Sequence, residues 1–298
     1  MGRIAEALKR AQEDRQRRLE GESADRATGS RPGSGEPSVV DEGLLCGTII
    51  KPPQLRRPFT TTTQPIPAEA VDPRVLAFHD PICQIAEKYR SVRTRLLTNN
   101  PGGSARVHAI ASTLRQEGRT ITAANLGFSL AELRHLRVAI IDLDVRQGGL
   151  TRLFQAEGRP GMIEVLRGEK RLAEACIPVV RDNLHLVPVG RISDANPSEL
   201  LAGGVAAGVF REINERYHYA LVDTPPIHTC ADIGLIGPLC HSVLIVARMN
   251  HTPESLLRRS VKMLQANHIS VAGCILVGGN EDTIDRTGNQ DFYTGAPQ

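Results

Sequence analysis

Residues 106–144 carry the pattern that most constrains the fold of this chain. A short apolar run ends at Ile110, the turn TLRQEGRT follows, and a second apolar run ends on Asp142 and Asp144. Between the runs, apolar residues at spacings of three and four predict a helix. The turn would lie at a helix N-terminus, where backbone N–H groups and the helix dipole attract phosphate, and the two acids would face it. A nucleoside triphosphate with Mg²⁺ requires this geometry.

The turn is an imperfect match to the phosphate-binding pattern GxxxxGK[ST]. Gly118 and Thr120 fit that pattern, whereas Thr113 replaces its first glycine and Arg119 replaces its lysine. Taken alone, a Gly-Arg-Thr sequence at a helix start is more often an ordinary turn with a threonine N-cap. The strand before it, the helix after it and the acids on the same unit favour the nucleotide-binding interpretation.

Composition argues against several other classes of protein. The net charge is only +3, aromatic residues make up 3% of the chain and tryptophan is absent, so we expect no nucleic-acid partner. The six cysteines form no CxxC pair and follow no signal peptide, which indicates a reducing compartment. No apolar run is long enough to span a membrane. We therefore expect a cytoplasmic protein without a transmembrane segment, which is either soluble or held at the inner face of the cell membrane by a partner.

Changes in composition divide the chain into four segments. They are a charged N-terminal helix at residues 1–21, a disordered linker at 22–74, a folded domain at 75–279 and a flexible tail at 280–298. The linker is rich in Ser, Gly, Pro and Thr, so it cannot bury enough apolar surface to offset the entropy lost on ordering. The N-terminal helix is expected to be solvated, or to dock on a partner protein or an anionic membrane surface.

Within the folded domain, apolar strands alternate with helices. This order predicts an α/β fold with a doubly wound, mostly parallel sheet and helices on both faces. Ligands of such sheets bind at the carboxyl ends of the strands, where Gly118, Asp142, Asp144 and Asp223 are expected to meet. A long helix is predicted to start at Pro197 or Ser198.

The helix that opens the domain has two distinct faces. Its inward face is expected to hold Ile85, Tyr89, Val92 and Leu96. A neighbouring face carries Glu87, Arg90 and Arg93 in the pattern ExxRxxR. Such residues commonly form intrahelical ion pairs that contribute a few tenths of a kcal/mol each.

Taken in order, these motifs resemble those of the bacterial tyrosine kinases of capsule and exopolysaccharide synthesis, within the wider class of MinD/ParA-like P-loop ATPases. The resemblance covers about residues 78–278. It depends on EKYRSVR for the ExxRxxR helix, EGRT for Walker A, IIDLDVR for Walker A′ and LVDTPP for Walker B, with GMIEVLRGE and NPSELL between them.

The resemblance implies ATP and Mg²⁺ as cofactors and assigns roles by position. Nucleotide contacts fall on Gln116, Glu117, Gly118, Arg119, Thr120 and Ile121, metal contacts on Thr120, Asp142 and Asp223, and catalysis on Asp142, Asp144 and Arg119. The ExxRxxR motif lies between subunits in the family's rings, which implies a homo-oligomer. The implied reaction transfers the γ-phosphoryl group of ATP to tyrosines near the C-terminus of a neighbouring subunit, here Tyr293. The implied partner is a membrane polysaccharide co-polymerase or chain-length adaptor.

Four departures from the family pattern affect the chemistry. Arg119 keeps the charge of the lysine, but its planar fork does not occupy the same point between two phosphates. Arg115 and Gln116 stand in place of Pro-Gly, so their side chains are expected to crowd the turn. Val277 replaces the asparagine that reads adenine, and the tail has one tyrosine instead of a cluster. These changes predict weakened phosphoryl transfer.

Two alternatives to an active kinase stay open from the sequence. One is a catalytically inactive, nucleotide-binding subunit that regulates or assembles the polysaccharide machinery, which the altered loop favours. The other is a MinD/ParA-like positional ATPase, although that class has an extra lysine early in the loop, and NPSELL and ExxRxxR are not its motifs.

Overall fold

The computed structural model describes residues 63–192 and 196–279. In this part of the chain, seven strands form one sheet in the order β3-β4-β2-β5-β1-β6-β7. The strands are β1 (Arg106–Ser112), β2 (Val138–Asp142), β3 (Ile177–Val179), β4 (Arg181–Val187), β5 (Tyr219–Asp223), β6 (Ser242–Arg248) and β7 (Val271–Val277). All neighbours are parallel except β3 and β4. The predicted α/β fold with a mostly parallel sheet is confirmed.

Ten α-helices lie in the described part of the chain. They are α1 (Leu76–His79), α2 (Gln84–Thr98), α3 (Arg119–Ala131), α4 (Gly149–Leu153), α5 (Met162–Leu166), α6 (Leu172–Ala175), α7 (Pro197–Ala202), α8 (Gly204–Arg216), α9 (Ile233–Ile236) and α10 (Glu254–Ala266). Short 3₁₀ helices occupy Ala68–Ala70 and Gly237–Leu239.

Two apolar cores lie on opposite faces of the sheet. Along β1, Ala109 and Ala111 belong to one core, whereas Ile110 belongs to the other, as the two-residue period of a strand requires. The core that contains Ile110 also holds most of α3. Burial on both faces explains why the strands read as continuous apolar runs.

Strand β7 departs from that pattern. Its residues alternate between half-buried and exposed, and Leu276 is 62% exposed. The expectation that both faces of every strand are covered was therefore wrong for β7, which lies at one end of the described sheet.

The folded domain begins earlier than the sequence indicated. Residues 63–74 were assigned to the linker, yet Ile66 and Val71 are buried. The backbone N–H of Ile66 donates to the carbonyl of Pro178 at 2.8 Å, and Ile66 bridges to Val179 beside the sheet. Isolated apolar residues among prolines and threonines give no periodic signal, which is why composition alone placed the boundary at residue 75. The predicted N-terminal helix, residues 22–62 and the tail with Tyr293 lie outside the described residues.

Two helix predictions also need correction. Ile85 was expected to face inward, but it is 52% exposed, because α2 packs through Ala86, Tyr89 and Leu96. The single long helix expected from residue 197 is two helices, since the backbone is extended at Gly203 between α7 and α8. A Gly-Gly pair favours such a break because glycine gains little from helix formation.

Candidate nucleotide-binding site

A cleft of about 800 Å³ lies at the carboxyl edge of the sheet. Its walls include all of the predicted nucleotide-contacting residues, 116–121, together with Asp144. Asp142 and Asp223 are aligned across the neighbouring strands β2 and β5, and both are fully buried at the strand ends. The structure thus brings the turn and the three acids to one edge, as the sequence predicted.

The backbone of the turn is strained at a residue that is not glycine. Gln116 has φ = 61° and Gly118 has φ = 82°, both in the left-handed region. Only glycine adopts this region without steric cost. The side chains of Arg115 and Gln116 are exposed and point away from the protein interior. Crowding by these side chains stays a prediction, and what the structure shows at Gln116 is backbone strain.

The side chain of Glu117 points into the turn instead of into the cleft. Its Oε2 accepts the backbone N–H of Leu114 at 2.8 Å, and its Oε1 accepts the hydroxyl of Thr252. Glu117 is buried. It therefore holds the turn closed, and both of its carboxylate oxygens are engaged within the protein.

The segment that joins β6 to α10 holds the turn from outside. Arg248 donates to the carbonyl of Gln116 at 3.3 Å, and His251 contacts the carbonyl of Arg115 at 3.2 Å. Neither residue was predicted to contact the turn. They lie more than 130 positions from the turn, and side chains that bond backbone carbonyls leave no motif.

The N-terminus of α3 faces the cleft with available donors. Gly118 precedes the helix, and no side chain in the described part of the chain caps it. The first backbone N–H groups of a helix have no intrahelical partner and carry partial positive charge. This end of α3 can therefore accept the phosphates of a nucleotide.

Arg119 occupies the centre of the acidic end of the site. Its Nε donates to Oδ1 of Asp223 at 2.7 Å, and its Nη2 donates to Oδ2 of Asp144 at 2.8 Å. Its Nη1 donates to Oγ of Ser112 at 3.2 Å, and the residue is 9% exposed. Thr120 donates to Oδ2 of Asp223 at 2.7 Å. The guanidinium thus bridges Asp223 at the end of β5 and Asp144 just after β2, a contact that the sequence did not predict.

Asp142 is engaged by the start of α4. Its Oδ2 accepts the backbone N–H of Thr151 at 2.7 Å and the Thr151 hydroxyl at 2.8 Å, and its Oδ1 accepts the N–H of Asp144 at 3.2 Å. Burial, followed by the charge of Asp223, raises the pKa of Asp142 to about 7 despite the bonds from Thr151. Asp142 therefore organises the local backbone. Its predicted catalytic role stays a prediction.

The predicted Mg²⁺ site does not fit the side chains as they lie. Carboxylate and hydroxyl oxygens suit this ion, but Arg119 stands between Asp144 and Asp223, and the oxygens of Asp142 already accept hydrogen bonds. Within the described residues, no group of three or more His, Cys, Asp and Glu side chains is arranged as a metal site. A metal ion would require Arg119 to withdraw.

Val277 lies beside the turn. A Cβ built on Gly118 would be 3.5 Å from Cγ2 of Val277. The position that the resemblance assigns to adenine recognition is thus close to the phosphate-binding turn, and it carries an apolar side chain.

The ExxRxxR helix makes its main ion pairs with the neighbouring helix. Arg90 donates to both carboxylate oxygens of Glu132 at 2.9 and 2.8 Å, and Arg93 donates to Glu132 at 2.6 Å. Burial raises the pKa of Glu132, but the hydrogen bonds from Arg90 and Arg93 outweigh it, so the net pKa is lowered. Glu87 pairs with Arg90 at 3.1 Å and stays largely exposed. In this structure the two arginines fasten α2 to the end of α3.

Sequence and structure comparisons identify relatives. No protein-family model matches the chain. It is 30% identical over 219 residues to the tyrosine-protein kinase wzc of Salmonella typhi, a match that covers 74% of this chain and 30% of that protein. The CapB protein of Staphylococcus aureus is 25% identical over 221 residues, covering 74% of this chain and 95% of CapB.

A solved structure agrees with these relatives. The kinase domain of the Escherichia coli tyrosine kinase ETK superposes with a TM-score of 0.65 at 25% identity, covering 68% of this chain and 79% of that domain. In the described residues, no helix is both long and apolar enough to cross a membrane. The chain is thus a homologue of bacterial tyrosine kinases of capsule and exopolysaccharide loci, and it spans about a third of the length of the wzc protein that it matches.

Proposed function

We propose that this chain is a tyrosine-kinase-like, ATP-binding protein that regulates capsular or exopolysaccharide synthesis and export, with weakened phosphoryl transfer. The observation that carries the proposal is the cleft where the uncapped N-terminus of α3 meets Asp144 at the carboxyl edge of the sheet. The kinase relatives support the same substrate class, tyrosine side chains on proteins.

The residues of the cleft have distinct roles in this proposal. The backbone N–H groups at Gly118 and Thr120 bind the phosphates of ATP. Asp144 lines the cleft, whereas Asp142 lies behind it, so Asp144 is the better placed acceptor for the tyrosine proton. In the transfer, the tyrosine oxygen forms a bond to the γ-phosphorus as the bond to the ADP oxygen breaks, and the hydroxyl proton goes to the carboxylate.

Arg119 is the reason for expecting slow transfer. Phosphoryl transfer depends on positive charge that is positioned for the transition state. The Arg119 guanidinium is committed to Asp144 and Asp223 at 2.8 and 2.7 Å, so it is withheld from the phosphates and also shields the proton acceptor. Ground-state binding through the backbone is less affected than the rate.

The alternative function is an inactive, nucleotide-binding subunit that regulates or assembles the polysaccharide machinery. The ion pairs of Arg119 favour it, because they fill the acidic end of the cleft. The positional-ATPase alternative has only the shared fold in its support.

Assembly and location complete the proposal. We infer a homo-oligomer that contacts its neighbours through the exposed start of α2, where Ile82 is 92% exposed and Ile85 and Glu87 lie close by in the sequence. We infer a cytoplasmic position beside the membrane, with a polysaccharide co-polymerase or chain-length adaptor as partner. Tyr293 is the proposed acceptor.

A binding and labelling experiment tests the proposed function. ATP should bind to the full chain in a calorimetric titration, and prolonged incubation with labelled ATP should give slow phosphotyrosine formation at Tyr293. Asp144→Asn should abolish the labelling and preserve binding, whereas Arg152→Lys, a conservative change elsewhere in the cleft, should preserve both. A wild-type chain that shows no ATP binding at millimolar concentration would contradict the proposal. Binding without any phosphotyrosine would favour the inactive alternative.

A further inference from the structure

The guanidinium of Arg119 uses all three of its nitrogens at the acidic end of the cleft. Nε and Nη2 bond the carboxylates of Asp223 and Asp144, and Nη1 bonds the hydroxyl of Ser112. The two ion pairs are buried, with side-chain exposures of 10% for Arg119, 3% for Asp144 and 0% for Asp223. Charge-assisted bonds of this kind are short and strong.

The remaining oxygens of these two carboxylates also have donors. Oδ2 of Asp223 accepts the Thr120 hydroxyl at 2.7 Å. Oδ1 of Asp144 accepts the backbone N–H groups of Gln147 at 3.2 Å and Arg146 at 3.3 Å. Every carboxylate oxygen that could coordinate a cation at this end is thus already hydrogen-bonded.

The shape of the arginine side chain explains how one residue can bond both carboxylates. Its planar fork presents donors that diverge, so one residue reaches both Asp223 at the end of β5 and Asp144 just after the end of β2. A lysine ammonium at the same position is a single compact charge and cannot bond both carboxylates through separate nitrogens in this way.

We propose that Arg119 is the resident cation of this site, and that its guanidinium keeps a divalent metal ion out of the space between Asp144 and Asp223. The acids are neutralised by the protein itself, so phosphates can approach the N-terminus of α3 without a metal ion. This inference deepens the proposed function, because it names the residue that limits metal loading.

Mn²⁺ binding in the absence of nucleotide tests the inference directly. The free Mn²⁺ signal in electron paramagnetic resonance is followed during titration of the folded full chain. Wild type should show no saturable site. Arg119→Ala should gain one Mn²⁺ site per chain, and its affinity for Mn²⁺ should be about tenfold or more above any residual binding by wild type. Mn²⁺ should also raise the melting temperature of Arg119→Ala but not that of wild type, because a cation that binds only the folded state stabilises it.

Three further variants show which residues form the Mn²⁺ site and provide a control for loss of folding. Arg152→Ala removes another cleft arginine and should behave as wild type. Adding Asp144→Asn to Arg119→Ala should abolish the gained site. Arg119→Lys keeps one charge and should also gain Mn²⁺ binding, so it decides the question if Arg119→Ala fails to fold.

Two results would overturn the inference. One is a wild-type chain that binds one Mn²⁺ as tightly as the Arg119 variants, and the other is a folded Arg119→Lys chain that gains no site. Failure of the proposed function would give a different result from failure of this inference. A chain that excludes Mn²⁺ as described but binds no ATP would refute nucleotide binding and support the resident cation.

Discussion

Asp142 shows how a single residue at this site is tuned by its surroundings. It is fully buried, and burial together with the Asp223 charge raises its pKa to about 7 from a usual value of 3.8. Between these two values the folded state holds a proton that the unfolded state has lost. The contribution of Asp142 to stability is therefore present below about pH 4 and lost as the pH rises toward 7.

Asp142→Asn should remove this pH dependence. The variant cannot ionise, so its free energy of unfolding relative to wild type should improve by about 3 kcal/mol between pH 4.5 and pH 8. Urea denaturation at a series of pH values measures the difference. Parallel stability curves for the two proteins would show that Asp142 is not a buried acid of this kind.

For single residues, the sequence predicted which ones lie at the carboxyl edge of the sheet, but not which hydrogen bonds they form there. Gly118, Asp144 and Asp223 could be placed at one edge because the strand ends of a parallel sheet converge. The contact of Arg119 with both acids could not be predicted, since it depends on the direction of one side chain at the start of α3. Thr151, nine positions after Asp142, was missed because a buried carboxylate that accepts from a later turn has no sequence signature.

Among the elements, α2 carries two kinds of surface. Arg90 and Arg93 are bound to Glu132 of the neighbouring α3 end, so reversing their charges would place acids against an acid and weaken the domain itself. Ile82 and Ile85, just before and within α2, are exposed at 92% and 52%. The apolar pair, and not the arginines, is therefore the place to test assembly.

Replacing both Ile82 and Ile85 with Ser should shift the oligomer toward monomer in light scattering. The melting temperature should change little, because surface substitutions usually alter stability by no more than about 0.5 kcal/mol. Val205→Ser, at a residue of α8 that is 49% exposed, is the matched control and should leave the oligomer intact. An oligomer that survives the double change would exclude this face from the interface.

The elements also show where periodicity succeeds and fails. Strands β1, β2 and β5 were predicted because their apolar runs are buried on both faces. The predicted inward orientation of Ile85 was wrong because a helix of this composition offers more than one apolar stripe, and tertiary packing selects one of them. The break at Gly203 was missed because a strong apolar pattern continues across it.

The whole molecule combines a fold similar to that of the ETK kinase domain with a site in which we propose Arg119 as the resident cation. The fold could be predicted from the order of strands and helices together with the strand-end acids. The start of the domain could not, because Ile66 and Val71 are held by contacts with distant segments such as Pro178. On this fold, we expect the rate of phosphoryl transfer to depend on the side chain at position 119.

The initial rate of tyrosine phosphorylation by Arg119→Lys, compared with wild type, is the sharpest test of the claim that Arg119 restrains phosphoryl transfer. Both chains are assayed with saturating ATP and Mg²⁺, with Tyr293 and an added tyrosine peptide as acceptors and Arg152→Lys as the control. Lysine frees Asp144 and Asp223 and returns a compact charge to the loop, so the rate should rise by about tenfold or more while ATP affinity changes little. A rate that is unchanged or lower in Arg119→Lys, with ATP still bound, would contradict the claim that Arg119 restrains the chemistry.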